Sequence, residues 1–319
     1  MTPNSQSQDQ AVIRTRGLAR AFGPTVAVAS LDIEVLRGEM YGLVGPDGAG
    51  KSTAIRLLCG ILQPTGGEGH VLGHDLRTEA EAVKARIGYL SQNFTLYGDL
   101  TVDENLEFFA AIHGVRDAGR RRDELLQFTR LTPFRRRLAQ ALSGGMKKKL
   151  ALACTLIHTP ELILLDEPST GVDPVSRGEF WNILSGILAE GVTIVMTTPY
   201  LDEVDRCHRI GLMHQGRIIR TGTPAQVKAC MPGRLFQLEC PAPAAAYRAL
   251  RRRWNALQLV LYADRLHLWT SGGDADAREA VDILQHESLG PVTLQPAEPS
   301  MEDVFVALLG TPGEPRKDT

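Results

Sequence analysis

Residues 45–53 read Gly-Pro-Asp-Gly-Ala-Gly-Lys-Ser-Thr, the pattern G-x-x-x-x-G-K-[ST] that cradles phosphate when a strand precedes it and a helix follows. Both flanks are present: the apolar run MYGLV lies before the loop and TAIRLLCGIL after it. Glycines at 45, 48 and 50 let backbone N–H groups converge on phosphate oxygens with no Cβ in the way, and the following helix directs its positive end at the same anions. Gly45, Pro46, Asp47, Gly48, Ala49, Gly50, Lys51, Ser52 and Thr53 are therefore the expected nucleotide-contacting segment. In it Lys51 is expected to meet the β- and γ-phosphates, Ser52 to give its hydroxyl to Mg²⁺, and Thr53 to add a phosphate contact. The alternative, a plain glycine-rich turn, leaves the Lys-Ser pair unexplained.

Such a loop requires an α/β core, and the chain supplies one. Short apolar runs alternate with helix-period segments over residues 11–222, the pattern of strands buried on both faces. Candidate strands are Glu39 to Val44, Arg86 to Ser91, Leu162 to Asp166, Thr193 to Thr198 and Arg209 to His214. Helical spacing dominates from about residue 94 to 160, as at Leu106, Phe109, Ala110 and His113, which places a helical subdomain inside the sheet-bearing core. A linker at 223–233 leads to a smaller α+β domain at 234–310, in the order strand, helix, strand, strand, helix, strand, helix. Its strands are expected at Leu235 to Glu239, Leu257 to Tyr262, Leu266 to Thr270 and Pro291 to Gln295. Residues 1–10 and 311–319 read as disordered tails.

Composition excludes more than it assigns. A formal charge of −2 gives no global attraction to nucleic acid. Five cysteines without a C-x-x-C pair suit a reduced compartment. The opening MTPNSQSQDQ lacks a signal peptide's basic start and apolar core, and no run reaches the ~18 apolar residues of a membrane span. The arginines at 116, 120, 121, 122, 130, 135, 136 and 137 are best read as a solvated helix face.

Two further motifs bear chemistry. Glu161 to Asp166 is an apolar strand ending in Asp166-Glu167-Pro168, and the carboxyl edge of a parallel sheet is where ligands bind. Asp166 is the candidate Mg²⁺ holder and Glu167 the candidate general base for an attacking water. Leu142-Ser143-Gly144-Gly145-Met146 precedes the helical run KKKLALACTLI. Ser143 suits an N-cap, and Gly144 and Gly145 leave that helix N-terminus bare enough for a second phosphate to approach.

A phosphate loop, an acidic strand end and an LSGGM motif in one chain make residues 12–222 resemble the ABC transporter ATPase family. The resemblance implies that Ser143, Gly144 and Gly145 of one subunit close on ATP held by the loop of another, so the partners are a second ABC ATPase subunit, in a homodimer or heterodimer, and an integral membrane permease. It implies no nucleic-acid partner. It places the chain peripherally at the cytoplasmic face of the plasma membrane. Gln92 resembles the glutamine that senses Mg²⁺ and the lytic water, Phe22 the aromatic that stacks on adenine, and Asp173 an interface residue facing the partner subunit. The C-terminal stretch from Pro299 to Gly310 looks like the tail of drug and polysaccharide exporter subunits. Against these stand a soluble non-transport ABC ATPase, a regulatory subunit that barely hydrolyses, and a phosphate-loop kinase.

Two residues depart from the family pattern. Met146 stands where glutamine is usual and carries little consequence. Pro199, in Thr197-Thr198-Pro199-Tyr200, aligns with the switch histidine that contacts the γ-phosphate. Proline has neither a side-chain donor nor an N–H. His208 and His214 read as surface or structural residues, so hydrolysis is expected to persist but slowly, or a non-identical partner supplies the histidine.

Overall fold

The computed structural model describes residues 11–231, 233–255 and 258–310; both expected tails lie outside them. The chain divides into two compact units that meet between Thr221 and Gly222.

The first unit is built on an 11-stranded sheet. It opens with β1 (Ala11–Phe22), β2 (Thr25–Leu31), β3 (Glu34–Leu36) and β4 (Met40–Val44), then α1 (Lys51–Leu58), β5 (Gly66–Val71), β6 (His74–Asp75), α2 (Ala80–Lys84) and β7 (Ile87–Leu90). Helices α3 (Val102–Ile112), α4 (Ala118–Phe128) and α5 (Gly144–Leu156) follow, then β8 (Leu162–Asp166), α6 (Pro174–Ala189), β9 (Thr193–Thr198), β10 (Arg209–His214) and β11 (Arg217–Gly222). Strands β10, β4, β9, β8 and β7 lie side by side in that order, all parallel. Every residue of β4, β8 and β9 is buried, which explains why their apolar residues run on without period-2 alternation. Next to them, β1 pairs antiparallel with β2, β3 and β5. Sequence alone assigned no strands to residues 11–36, because one partly exposed face interrupts the apolar pattern there.

Parallel register brings the site together. Val44 pairs with Thr198, Asp166 with Thr197, and Leu90 with Leu165, so the residues that follow β4, β7, β8 and β9 emerge at one carboxyl edge. Helix α3 is fixed by a capping box between Thr101 and Glu104.

In the second unit, β12 (Arg234–Glu239) is flanked by β14 (Arg265–Thr270) and β15 (Thr293–Ala297), with β13 (Leu259–Leu261) on the far side of β14. All pairs are antiparallel. Helices α8 (Pro243–Leu250) and α9 (Asp274–His286) contribute Ala246, Leu250, Ala280 and Leu284 to a core shared with Leu238, Trp254 and Leu266. Three boundaries differ from expectation, one of them the fourth strand, expected at Pro291 to Gln295 and found at Thr293–Ala297. The expected linker contains α7 (Pro224–Ala229), started by a capping box between Thr223 and Gln226. The strand expected from Leu257 is short, and Leu257 itself lies outside the described residues. The last helix, α10 (Met301–Gly310), begins where Ser300 and Asp303 exchange backbone N–H to side-chain hydrogen bonds.

Candidate nucleotide site

The loop between β4 and α1 is wedged against neighbouring backbone, and that contact dictates its glycines. A Cβ on Gly45 would lie 2.1 Å from the Met213 carbonyl oxygen, and one on Gly50 would lie 2.3 Å from that of Ala27. Gly50 and Gly48 also sit at φ of +102° and +77°, where side chains are rarely tolerated. On the other side Gly216 donates its N–H to the Ala49 carbonyl at 2.9 Å. The loop is thus a rigid cradle whose N–H groups precede the α1 N-terminus.

Within the cradle Lys51 is 3% exposed at its side chain, and its Nζ lies 3.5 Å from Glu167 Oε1. The ammonium donates to the carbonyls of Gly45 at 2.8 Å and Pro46 at 3.1 Å. These neutral acceptors are weaker partners than phosphate oxygens, to which the ammonium can transfer without unburying. Asp47 points to solvent, with its carboxylate 94% exposed.

Two hydroxyls converge on one oxygen of Asp166: Ser52 Oγ donates to Oδ1 at 2.9 Å and Thr197 Oγ1 at 2.8 Å. Asp166 is fully buried, and its other oxygen, Oδ2, has no hydrogen-bond partner. A bare buried carboxylate oxygen beside a serine hydroxyl fits a hard cation held mainly by oxygen. No group of three His, Cys, Asp or Glu side chains suited to a metal occurs among the described residues.

Glu167 is 7% exposed and sits at φ +48°, an unusual conformation for a residue with a Cβ. Its backbone N–H donates to Thr197 Oγ1 at 2.9 Å, and its Oε2 accepts from Gln92 Nε2 at 2.8 Å. Gln92 and Glu167 are thereby brought together. Lys148 donates to the Gln92 carbonyl at 3.1 Å. Burial holds the Lys148 ammonium below its ordinary value, while the charges of Asp166 and Glu167 pull the other way.

Phe22 closes β1 and is 45% exposed. The Arg20 guanidinium lies 4.5 Å from its ring centroid. The hairpin β1–β2 that carries it also supplies Ala27, whose carbonyl abuts Gly50.

At the second motif Ser143 caps α5, accepting the Met146 N–H at 3.3 Å. The two glycines differ. A Cβ on Gly144 would meet nothing within 4 Å, so this position leaves the helix end open to an approaching anion. A Cβ on Gly145 would lie 2.4 Å from the Ser176 side chain. The steric requirement at Gly145 is thus close packing on the start of α6, a reason that the sequence did not reveal. Asp173, expected to face a partner, caps α6 by accepting the N–H groups of Val175 at 3.1 Å and Ser176 at 2.9 Å. Those bonds hold its carboxyl below the usual range.

The Pro199 region is built as scaffold. Thr198 Oγ1 donates to Glu203 Oε2 at 2.6 Å, and Arg177 Nε and Trp181 Nε1 both donate to Glu203 Oε1, at 2.7 and 3.3 Å. Glu203 is 1% exposed. His208 Nδ1 accepts the Met40 N–H at 3.2 Å, a structural role, and His214 ends β10. Thr197 was not singled out from sequence: a threonine in an apolar strand carries no signal until its neighbour strand is known. The arginines expected on a solvated face are largely ion-paired, for example Arg122 with Asp103 and Glu107, and Arg135 with Asp103 and Asp123.

A phosphate loop after one parallel strand and an Asp-Glu pair at the end of a nearby strand of the same sheet define a P-loop nucleotide-binding core. The family model described as ABC transporter matches residues 28–170. The probable multidrug ABC transporter ATP-binding protein YbhF of Escherichia coli strain K12 is 40% identical over 311 residues, covering 96% of this chain and 53% of the relative. The daunorubicin/doxorubicin resistance ATP-binding protein DrrA of Streptomyces peucetius is 34% identical, over 97% of this chain and 96% of its own. A solved structure described as the ATP binding subunit of an ABC transporter superposes with a TM-score of 0.62 at 28% identity, covering 68% of this chain and 92% of its own. The chain belongs to the family of ABC transporter ATP-binding proteins, and it spans about half the length of the Escherichia coli relative.

Proposed function

We propose that this chain binds and hydrolyses Mg²⁺-ATP and, paired with a second ATPase subunit, drives export through a separate membrane permease. The observation that carries the reading is that one chain holds two helix N-termini fit for phosphate. One is the α1 cradle, with Lys51, Ser52, Asp166 and Glu167 around it; the other is the open end of α5 at Gly144. A kinase or a simple nucleotide-binding protein needs the first alone. A subunit that sandwiches ATP against a partner needs both.

In this mechanism the loop N–H groups and Lys51 hold the β- and γ-phosphates, and Phe22 takes the adenine. Ser52 and Asp166, with Gln92, are the residues that would hold Mg²⁺, which would supply neutralisation of phosphate charge. Glu167 accepts the proton of the attacking water as that water's oxygen bonds to the γ-phosphorus and the bond to the β-phosphate oxygen breaks. Gln92 keeps the carboxylate oriented through its 2.8 Å hydrogen bond. Ser143 and Gly144 of the partner complete the site, and Asp173 lies in the same interface. Closure on ATP and reopening after hydrolysis are the strokes delivered to the permease. Pro199 offers no donor to the γ-phosphate, so turnover is slow unless a non-identical partner contributes a histidine.

The names of the relatives point to export of drug-like molecules. We place the permease on another chain and this one peripherally at the inner face of the plasma membrane; no described helix is long and apolar enough to cross a membrane. The test is to purify the tagged chain from detergent-solubilised membranes of its host, assay Mg²⁺-ATP hydrolysis, and identify bound proteins by mass spectrometry. A polytopic permease with no other ATPase means a homodimeric motor, and a second ATPase means an asymmetric pair. Recovery of ribosomal or soluble partners alone, or absence of hydrolysis in the assembled complex, contradicts the proposal.

A further inference from the structure

Thr197 lies two residues before Pro199 and carries no role of its own in the motifs, yet it touches both acidic residues of the site. Its side chain is fully buried at the end of β9, in register with Asp166 on β8. The direction of its two hydrogen bonds is forced. The Glu167 backbone N–H can only donate, so the Thr197 oxygen accepts there at 2.9 Å. The hydroxyl proton is then committed to Asp166 Oδ1 at 2.8 Å. Ser52 donates to that same Oδ1 at 2.9 Å, so Oδ1 carries two donors while the buried Oδ2 carries none.

We infer that Thr197 is a positioning residue for the reaction proposed above, acting on Asp166 and Glu167 at once. One hydroxyl fixes the plane of the Asp166 carboxylate, so that the oxygen without a protein donor is the one left for a cation. The same hydroxyl anchors the peptide N–H of Glu167, whose φ of +48° needs outside support, and so sets where the Glu167 carboxylate begins. In a chain with Pro199 at the next site on this strand end, the contribution of β9 is a buried hydroxyl that orients the acids. The inference rests on the Mg²⁺-ATP reading of the site.

The full-length chain and its Thr197→Val, Thr197→Ser and Thr197→Cys variants test it, through ATP affinity in EDTA and in a Mg²⁺ titration by calorimetry, with kcat alongside. Thr197→Val is expected to raise the Mg²⁺ concentration for half-saturation, and to lower kcat, by ~10–100-fold, as for removal of a partner behind a metal ligand. Its ATP affinity in EDTA stays within about twofold of wild type, and Thr197→Ser, which restores the hydroxyl, returns both quantities to within about threefold. If Thr197→Val does not fold, Thr197→Cys, a weaker donor, carries the comparison with an intermediate shift. A Mg²⁺ midpoint unchanged in Thr197→Val, or in Thr197→Cys where that variant stands in, overturns the inference. So does a Thr197→Ser variant as impaired as Thr197→Val, or wild-type ATP affinity indifferent to Mg²⁺. Wild-type protein that binds Mg²⁺-ATP yet does not hydrolyse it in its assembled complex defeats the functional proposal instead, and the Mg²⁺ midpoints still decide the role of Thr197.

Discussion

Strands β8 and β9 are neighbours, both buried along their whole length, and each runs into a proline just past a polar pair: Asp166-Glu167-Pro168 on one, Thr197-Thr198-Pro199 on the other. Their burial is alike and their chemistry is opposite. The end of β8 presents two acids to the cradle of Lys51 and Ser52. The end of β9 presents two hydroxyls that turn inward, Thr197 to Asp166 and Thr198 to Glu203. Chemistry is thus concentrated on one strand and support on the next. A parallel sheet permits this division because register alone brings both ends to one edge.

The division can be broken most severely at β8. Glu167→Gln is expected to lower hydrolysis by ~10³-fold or more, because it removes the proposed base while keeping shape, with ATP affinity nearly unchanged; steady-state turnover and equilibrium binding check this. Behind β9, Glu203→Ala leaves Arg177, Trp181 and Thr198 without their shared buried acceptor. The expected cost is about 2–4 kcal/mol of stability, toward the low end because Arg177 reaches solvent; denaturant unfolding measures it. Pro199→His should raise turnover of the assembled complex by roughly tenfold, a part of the ~10²–10³ that one transition-state donor can carry. Unchanged turnover would remove Pro199 as the limit.

A smaller effect separates both strand ends from the helices of the first unit. His113 and His158 stack with centroids 4.0 Å apart. Burial holds both imidazoles below their ordinary value of 6.5, with His113 further depressing His158. The unfolded chain therefore takes up protons first on acidification, and stability falls as pH drops through 6.5 and is not regained below. His158→Asn should flatten that dependence in thermal unfolding curves recorded from pH 7.5 to about pH 5, while the pH profile of ATP binding keeps its form.

Legibility in sequence followed the range of each interaction. The phosphate loop could be read because its glycines answer to a local backbone problem, and Asp166-Glu167-Pro168 because a strand end is local too. Thr197 could not, since its role exists only across a ladder of residues 31 positions apart in sequence. Gly145 was read for phosphate access when its tightest neighbour is Ser176, a contact between helices that no motif encodes. Asp173 was read as an interface residue, while its visible bonds cap its own helix. In the second unit, α7 falls in a stretch whose sequence reads as linker because a helix of 6 residues is too short to display a period.

The central claim is that the β8 acids and the open α5 end serve the same ATP from two subunits. Sedimentation of the full-length Glu167→Gln variant, with and without saturating Mg²⁺-ATP and with Gly144→Glu added in a second sample, tests it most directly. The account predicts ATP-dependent dimers for Glu167→Gln that the added carboxylate at Gly144 abolishes while ATP still binds. Monomers at saturating ATP, or dimers indifferent to the change at Gly144, would contradict it.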